Sequence, residues 1–397
     1  MKHTVSLRRA AAVGAMAAAT CSLVTGLAVY GLARPSGALS EIYTALEEAQ
    51  SIVDRRFVGD YDMDNVRDYV LTGYADGLGD RWTSYMTEEY YQSYLETAAD
   101  STIGIGVTVS AQKEDDGSTV LHVESVALGS PAAEAGIGAY DDITAVDGQT
   151  IDELGGYESA VDAILGEEGK RVTLTVRAYQ TGERADIAVT RQEYEQIHVT
   201  ARMLENDVGY LYIERFTDQT DEQFLDALEQ LLEEGAQALI FDLRNNPGGR
   251  LTALVESLDA LLPEGDIISL ESRDGDREVY TSDAEEVTLP MAVLVNEDSY
   301  SAAEFFAAAL QEYGKAVVVG EQTCGKGYSQ QSFPLSGGGC LNISTHCYYT
   351  PNGESLIGKG VTPDVAVSLS EDKLARFAVL EDSEDDQLQA ALDAVTP

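Results

Sequence analysis

Apolar residues change their spacing along the chain, and each change marks a different kind of element. Ile42, Leu46, Ala49 and Val53, then Val66, Tyr69, Val70 and Tyr74, recur at three- and four-residue steps, which predicts a helical arm over residues 39–100. Whether that arm packs on the body or forms a homodimer contact is left open by the pattern. From about Thr102 to Arg191 the period falls to two. Runs such as Val107-Thr108-Val109 and Val172-Thr173-Leu174-Thr175-Val176, separated by Gly and Asp-Gly turns, predict a β-rich module over 101–192. Beyond it the elements lengthen. Phe224, Leu225, Leu228, Leu231 and Leu232 form one helix face, opened by a Thr220/Gln223 capping box and stopped at Gly235. A strand at 238–241, a helix through Leu262, a buried strand at 291–295, a helix at 302–313 and a strand at 317–319 follow. Such alternation predicts a layered α/β core over 193–369, followed by an acidic tail, 370–397, with an amphipathic helix around Leu388 to Val395.

The first residues follow a different rule. Lys2, Arg8 and Arg9 precede a run from Ala10 to Leu32 without any charge, closed by Arg34 and Pro35. A bilayer core needs about 20 apolar residues in a helix, so the run is long enough to span one. Residues 1–38 therefore read as an uncleaved membrane anchor, or as a signal peptide cleaved near Ser36-Gly37-Ala38. The positive flank places the start in the cytoplasm and the remainder outside the cell.

A chain of 397 residues with net charge −44, from 69 acidic and 25 basic side chains, has room for more than one domain and repels polyanions. Nucleic acid is excluded as a partner. Cys324, Cys340 and Cys347 follow the apolar run, so at most one internal disulfide can form there. Cys340 and Cys347 fall on one predicted strand, too far apart to bond to each other, while Cys324 could pair with either. No cysteines have zinc spacing and the four histidines are scattered, so neither metal nor cofactor is expected. Asp60-Tyr61-Asp62-Met63-Asp64 starts like a calcium loop, but Asn65 and Leu71 break it and leave a helix-start turn.

Within the β-rich module, Gly129-Ser130-Pro131-Ala132-Ala133-Glu134-Ala135-Gly136 is followed by Asp141-Asp142-Ile143 and Val146-Asp147-Gly148. That order, over about ninety residues, resembles a PDZ domain of the bacterial protease type, with Tyr140 standing where a glycine is usual. The resemblance puts the carboxylate-binding loop on Gly104, Ile105, Gly106 and Val107. A glycine-rich strand entry can hold a terminal carboxylate while the strand edge pairs with an extended peptide.

Chemistry concentrates in two segments of the core. Ser299-Tyr300-Ser301-Ala302-Ala303-Glu304 joins a buried strand to a helix, where orphan N–H groups favour an oxyanion; Ser299 or Ser301 could instead merely cap that helix. Gly320-Glu321-Gln322-Thr323-Cys324-Gly325-Lys326-Gly327 nearly matches a phosphate loop, but Gly327 replaces the magnesium-binding hydroxyl and a strand follows. A lysine between glycines behind a hydrophobic strand can be desolvated, which lowers its pKa and frees the amine to accept a serine proton. A Ser-His-Asp arrangement lacks a Gly-x-Ser-x-Gly elbow, and His346 reads as a strand residue.

With these segments, Asp242-Leu243-Arg244-Asn245-Asn246-Pro247-Gly248-Gly249, Tyr348-Tyr349-Thr350-Pro351-Asn352-Gly353 and Gly358-Lys359-Gly360-Val361-Thr362-Pro363-Asp364 complete an ordered set. From Glu41 onward the chain resembles the carboxyl-terminal processing proteases. The resemblance implies an α/β protease core with an inserted PDZ domain and an N-terminal helical arm. It implies Ser301 as nucleophile, Lys326 as general base, Gln330 as its orienting residue, and an oxyanion hole from Ala302 and Gly248. It further implies protein or peptide substrates with accessible C-termini and a PDZ domain that gates the site. Tyr300 and Ala303 depart from the family pattern beside the nucleophile, and Cys324 replaces its usual phenylalanine. A catalytically silent PDZ scaffold is the alternative that these departures keep in view.

Overall fold

The computed structural model describes residues 39–97 and 101–396. The apolar run 10–32, with its expected role as anchor or signal peptide, lies outside the described residues. Among the described residues no helix is long and apolar enough to cross a membrane.

The chain divides into two compact units after Arg67. In the first, the helix Leu39–Arg56 has no buried residue, and Ile42, Leu46 and Ile52 are exposed. The Asp60 to Asp64 segment is a helix start: Asp62 Oδ1 accepts the Asp64 N–H at 2.9 Å, opening the helix Met63–Asp76.

The second unit is built on a six-stranded sheet in the order Val199–Met203, Val208–Ile213, Ala238–Asp242, Met291–Val295, Ala316–Gly320, Val365–Ala366. The first pair is antiparallel and the remainder parallel. Both faces are covered, which is why the central strands are apolar throughout rather than alternating. On one face Leu211, Phe241, Val293 and Val318 pack with Phe224, Leu254 and Phe306 from three helices, Thr220–Glu233, Leu251–Asp259 and Ala302–Glu312. On the other, Val208, Ile240, Leu294 and Val319 pack with Leu388, Ala391 and Val395 of the helix Asp386–Val395. The acidic tail is therefore one layer of the core.

Two sequence expectations are corrected here. The arm is not helical throughout: between the helices Met63–Asp76 and Glu88–Thr97, Ser84–Met86 is a strand that pairs with Cys340–Tyr349 in a second, five-stranded sheet. Gly77 and Gly79 interrupt the helical pattern, and Met86 is buried. The Thr220/Gln223 capping box does not form either. Thr220 Oγ donates to Arg215 O at 2.9 Å, and Gln223 Oε1 accepts the His198 N–H at 2.7 Å.

The β-rich module inserts through a two-stranded ribbon, Ser101–Gly104 with Gln192–Glu195. Its own sheet runs Val107–Lys113, Thr119–Val126, Asp142–Val146, Arg171–Arg177, Arg184–Thr190, over a core that includes Leu121, Ile143, Ile151 and Leu174. Tyr140 takes the left-handed φ of 68° that a glycine would take there, and its ring packs between His122 and Tyr179. Gly106 also has a positive φ, 81°, and a Cβ at that position would lie 2.2 Å from Ser130 Cβ. No larger residue fits.

Candidate active site

Ser301 stands where the strand Met291–Val295 gives way, through one turn, to the helix Ala302–Glu312. Its φ of 59° with ψ −123° is a conformation that L-residues rarely adopt, costing on the order of 1–3 kcal/mol. The tertiary frame holds it there. Ser299 Oγ donates to Leu243 O at 2.7 Å and accepts the Asn296 N–H at 2.9 Å, while the Tyr300 N–H reaches Asn246 O at 3.1 Å. Ser299 thus locks the turn, and Ser301 is left at 8% exposure at the helix N-terminus.

Glu304, one turn into the helix, is fully buried. Its Oε2 accepts the backbone N–H groups of Ser301 at 2.9 Å and Lys326 at 2.8 Å. Its Oε1 accepts Thr323 Oγ–H at 2.6 Å and the Gly325 N–H at 2.7 Å. Burial pushes this carboxyl above its usual value, while the four donors pull the other way. One side chain therefore binds the serine turn to the lysine loop. Thr323 Oγ in turn accepts the Val361 N–H at 2.7 Å, and the Gly358 N–H donates to Gly325 O at 2.9 Å, which brings the 358–364 segment behind the same loop.

The lysine amine is placed by aromatic rings. Lys326 Nζ lies 4.6 Å from the centre of the Trp82 ring and 5.5 Å from that of Tyr300, and the two rings stack at 5.9 Å. Among the described residues it makes no hydrogen bond or ion pair, so it is not bonded to Ser301 Oγ. Burial lowers its pKa below the ordinary lysine value, against the opposing charges of Cys324, Glu304 and Asp80. Arg81 beside it stacks on Trp82 at 4.3 Å and donates to Cys324 Sγ at 3.1 Å. Cys324, Cys340 and Cys347 are all free thiols, so the possible Cys324 disulfide is absent.

Gln330 does not touch the amine. Its Nε2 donates to Tyr328 O and Ser344 Oγ, both at 3.1 Å. Ser344 is also a hydrogen-bond partner of Asp80, whose carboxyl is lowered: burial opposes the shift, and bonds from Ser344, Thr83 and the Trp82 N–H with the charge of Lys326 outweigh it. Among the described residues, Gln330 is thus linked to the lysine through Ser344 and Asp80.

Gly248 lies against Ser301. Its φ is 83°, and a Cβ there would sit 2.7 Å from Ser301 Cβ and 2.8 Å from the Ala302 nitrogen. Its N–H donates to Asn246 Oδ1 at 2.7 Å, so in this conformation that donor is engaged. Next to the loop, a cavity of about 680 Å³ is lined by residues 104–109 of the β-rich module and by Arg215, Asn245 and Pro247 of the core. It joins the expected carboxylate loop to the neighbourhood of Ser301.

Sequence reasoning did not assign roles to Trp82, Asp80, Glu304 or the pair Asp242 and Arg244. Arg244 is buried, donating to Asp242 through Nε and to Asp385 Oδ1 and Gln387 Oε1 through Nη1 at 3.0 and 3.1 Å. Burial works against its charge, but Asp242 and Asp385 hold it more firmly protonated than an exposed arginine.

Comparison with known proteins identifies both domains. A model of peptidase family S41 matches residues 207–367, and a PDZ domain model matches 102–189. The chain is 32% identical over 368 residues to a carboxyl-terminal-processing protease of Synechocystis, covering 91% of this chain and 79% of that one. It is 32% identical over 329 residues to the carboxy-terminal processing protease CtpA of Bacillus subtilis, covering 82% and 69%. A crystal structure described as an S41 protease from Bacteroides fragilis shares the fold, with TM-score 0.60 and 17% identity over 86% of this chain and 99% of that one. With the serine turn, the lysine loop and the PDZ insertion in one frame, the chain belongs to peptidase family S41, the carboxyl-terminal processing serine proteases.

Proposed function

We propose that the protein is an extracytoplasmic endopeptidase that cleaves proteins recognised through their C-terminal tails, with Ser301 as nucleophile and Lys326 as general base. The observation that carries the assignment is the Glu304 carboxylate, which holds the backbone of both residues through one oxygen. A substrate tail binds beside residues 104–107, and an upstream stretch follows the cavity towards Ser301. Neutral Lys326 takes the Ser301 hydroxyl proton as Oγ attacks the peptide carbonyl carbon. The oxyanion is met by the N–H groups of Ala302 and Gly248. Lys326 then protonates the departing amine, leaving an ester on Ser301, and water with the lysine as base releases the carboxylic product.

This sequence requires two movements from the resting geometry. The Lys326 amine leaves the Trp82 and Tyr300 rings, and the Gly248 N–H leaves Asn246. The second involves the loop whose Asn245 and Pro247 line the cavity, which supports a PDZ domain that aligns the site when a tail binds as well as recruiting it. The extracytoplasmic location rests on the apolar run 10–32 and its positive flank.

The test is digestion of casein by the chain from Ser40 onward, beside Ser301→Ala and Lys326→Ala, with fragments followed by mass spectrometry. Cleavage that both substitutions abolish is the expected result. Equal cleavage by all three rejects the dyad. Absence of cleavage even with a C-terminal activating peptide favours the scaffold alternative.

A further inference from the structure

Arg215 stands two residues beyond the strand Val208–Ile213, on the segment that runs beside the glycine loop. There the Phe216 N–H donates to Gly248 O at 2.9 Å, and the Arg250 N–H donates to Phe216 O at 2.8 Å. Arg215 is half-buried and lines the cavity that joins the PDZ loop to Asn245 and Pro247. Its charge is also felt by the Tyr300 phenol, the residue before the nucleophile: burial raises that phenol's pKa, and Arg215 works against the rise. Among the described residues its guanidinium has no hydrogen bond or ion pair.

That lack of a partner is informative in a chain with 69 acidic residues against 25 basic ones. The nearest acids in sequence are taken. Glu214 holds His198 Nδ1 at 2.9 Å, and Asp218 holds Arg250 at 3.0 Å. A partly dehydrated guanidinium without a counter-charge is unfavourable, and its planar fork matches a carboxylate. Arg215 is the one Lys or Arg among the residues that line the cavity, where it stands beside Glu214, and is thus a point of contrast for an incoming acidic segment in a chain of net charge −44.

We propose that Arg215 is a specificity-determining residue that receives a carboxylate of the substrate, on the stretch between the tail held by the PDZ loop and the scissile bond. The inference rests on the Ser301 and Lys326 reading above. The carboxylate has two sources, an Asp or Glu side chain of that stretch, or the substrate's terminal carboxylate reaching past the loop.

The experiment uses the full chain and paired peptides that differ by one group. One series exchanges Asp for Asn or Glu for Gln at each position between the scissile bond and the C-terminus, and a second exchanges the terminal carboxylate for a carboxamide. The quantity read is the ratio of kcat/KM within each pair, for the parent, Arg215→Gln and Arg215→Glu. An acid preference of about ten-fold or more at one position is expected in the parent, with its loss in Arg215→Gln and a preference for Lys at that position in Arg215→Glu. A preference confined to the carboxamide series assigns the site to the terminal carboxylate. The same pairs bound to Ser301→Ala and to Ser301→Ala/Arg215→Gln give the ratio as Kd, without any need for turnover. Ratios near one throughout, or an acid preference that survives both Arg215 substitutions, overturn the inference. Undiminished cleavage by Ser301→Ala would overturn the dyad instead, while the Arg215 ratios would still be read.

Discussion

The Lys326 amine rests 4.6 Å from the Trp82 ring, held by an aromatic face rather than by the serine it is proposed to deprotonate. A π face favours the ammonium form and burial favours the neutral one, so the two act on the same proton in opposite directions. Burial lowers the pKa of this amine below the ordinary lysine value, so its neutral form is present at lower pH than for an exposed lysine. Trp82→Leu removes the ring while keeping apolar cover. A cation–π contact is worth about 0.5–2 kcal/mol and one pH unit about 1.4 kcal/mol, so the acidic limb of kcat/KM should move down by roughly 0.4–1.4 units. A pH profile of the two proteins checks this, and an unmoved or raised limb would show that Trp82 only packs.

Glu304→Gln tests the clamp between the two halves of the proposed dyad. An amide can accept at one position only, and its NH₂ would face two of the four donors now satisfied. We expect kcat to fall at least 100-fold and stability to fall by about 2–4 kcal/mol, from the unpaired buried groups left behind. Denaturant unfolding and single-turnover assays measure the two effects separately. Full activity would mean that the serine turn is held by its own loop contacts.

Cys324 offers a chemical probe of the lysine loop. It is only partly covered and sits against Arg81, on the loop that carries Lys326. Alkylation with iodoacetamide should reduce kcat/KM at least ten-fold by crowding the amine, and Cys324→Ser should make the enzyme resistant. If Cys324→Ser is inhibited equally, one of the other thiols is responsible.

Asp385→Ala removes two contacts at once, the partner of buried Arg244 and the cap whose Oδ1 accepts the Gln387 and Leu388 N–H groups at 3.1 and 3.0 Å. Breaking a buried ion pair costs about 3–5 kcal/mol, so the urea midpoint should drop with an unchanged slope. A loss below about 1 kcal/mol would mean that Asp242 and Gln387 suffice to hold the arginine.

How much of this was readable beforehand depended on the range over which each residue acts. Strands such as Met291–Val295 and the helix Ala302–Glu312 are local patterns of apolar residues, and the serine and lysine segments carry their spacing in a few consecutive positions. Glu304 lay inside a recognised segment, yet its role appears only when residues 323–326 fold onto it. Trp82 was hidden because the helical reading was carried past Gly77 and Gly79 into Trp82-Thr83-Ser84-Tyr85-Met86, whose aromatic and β-prone character was the available sign of a strand. Asp385 gave no sign at all: its partner is 141 positions away. The engagement of Gly248 by Asn246 is likewise a property of one conformation, which no pattern of residue types encodes.

That long separation also bears on how the enzyme comes into being. While the polypeptide is being made, Arg244 and the sheet face of Ile240 and Leu294 exist well before Asp385 and Leu388. Until those later residues arrive, the growing chain carries an open apolar surface and an incompletely neutralised cation at the base of the strand that leads into the Gly248 loop. Closure of the far layer therefore waits until residues 385–395 have been made.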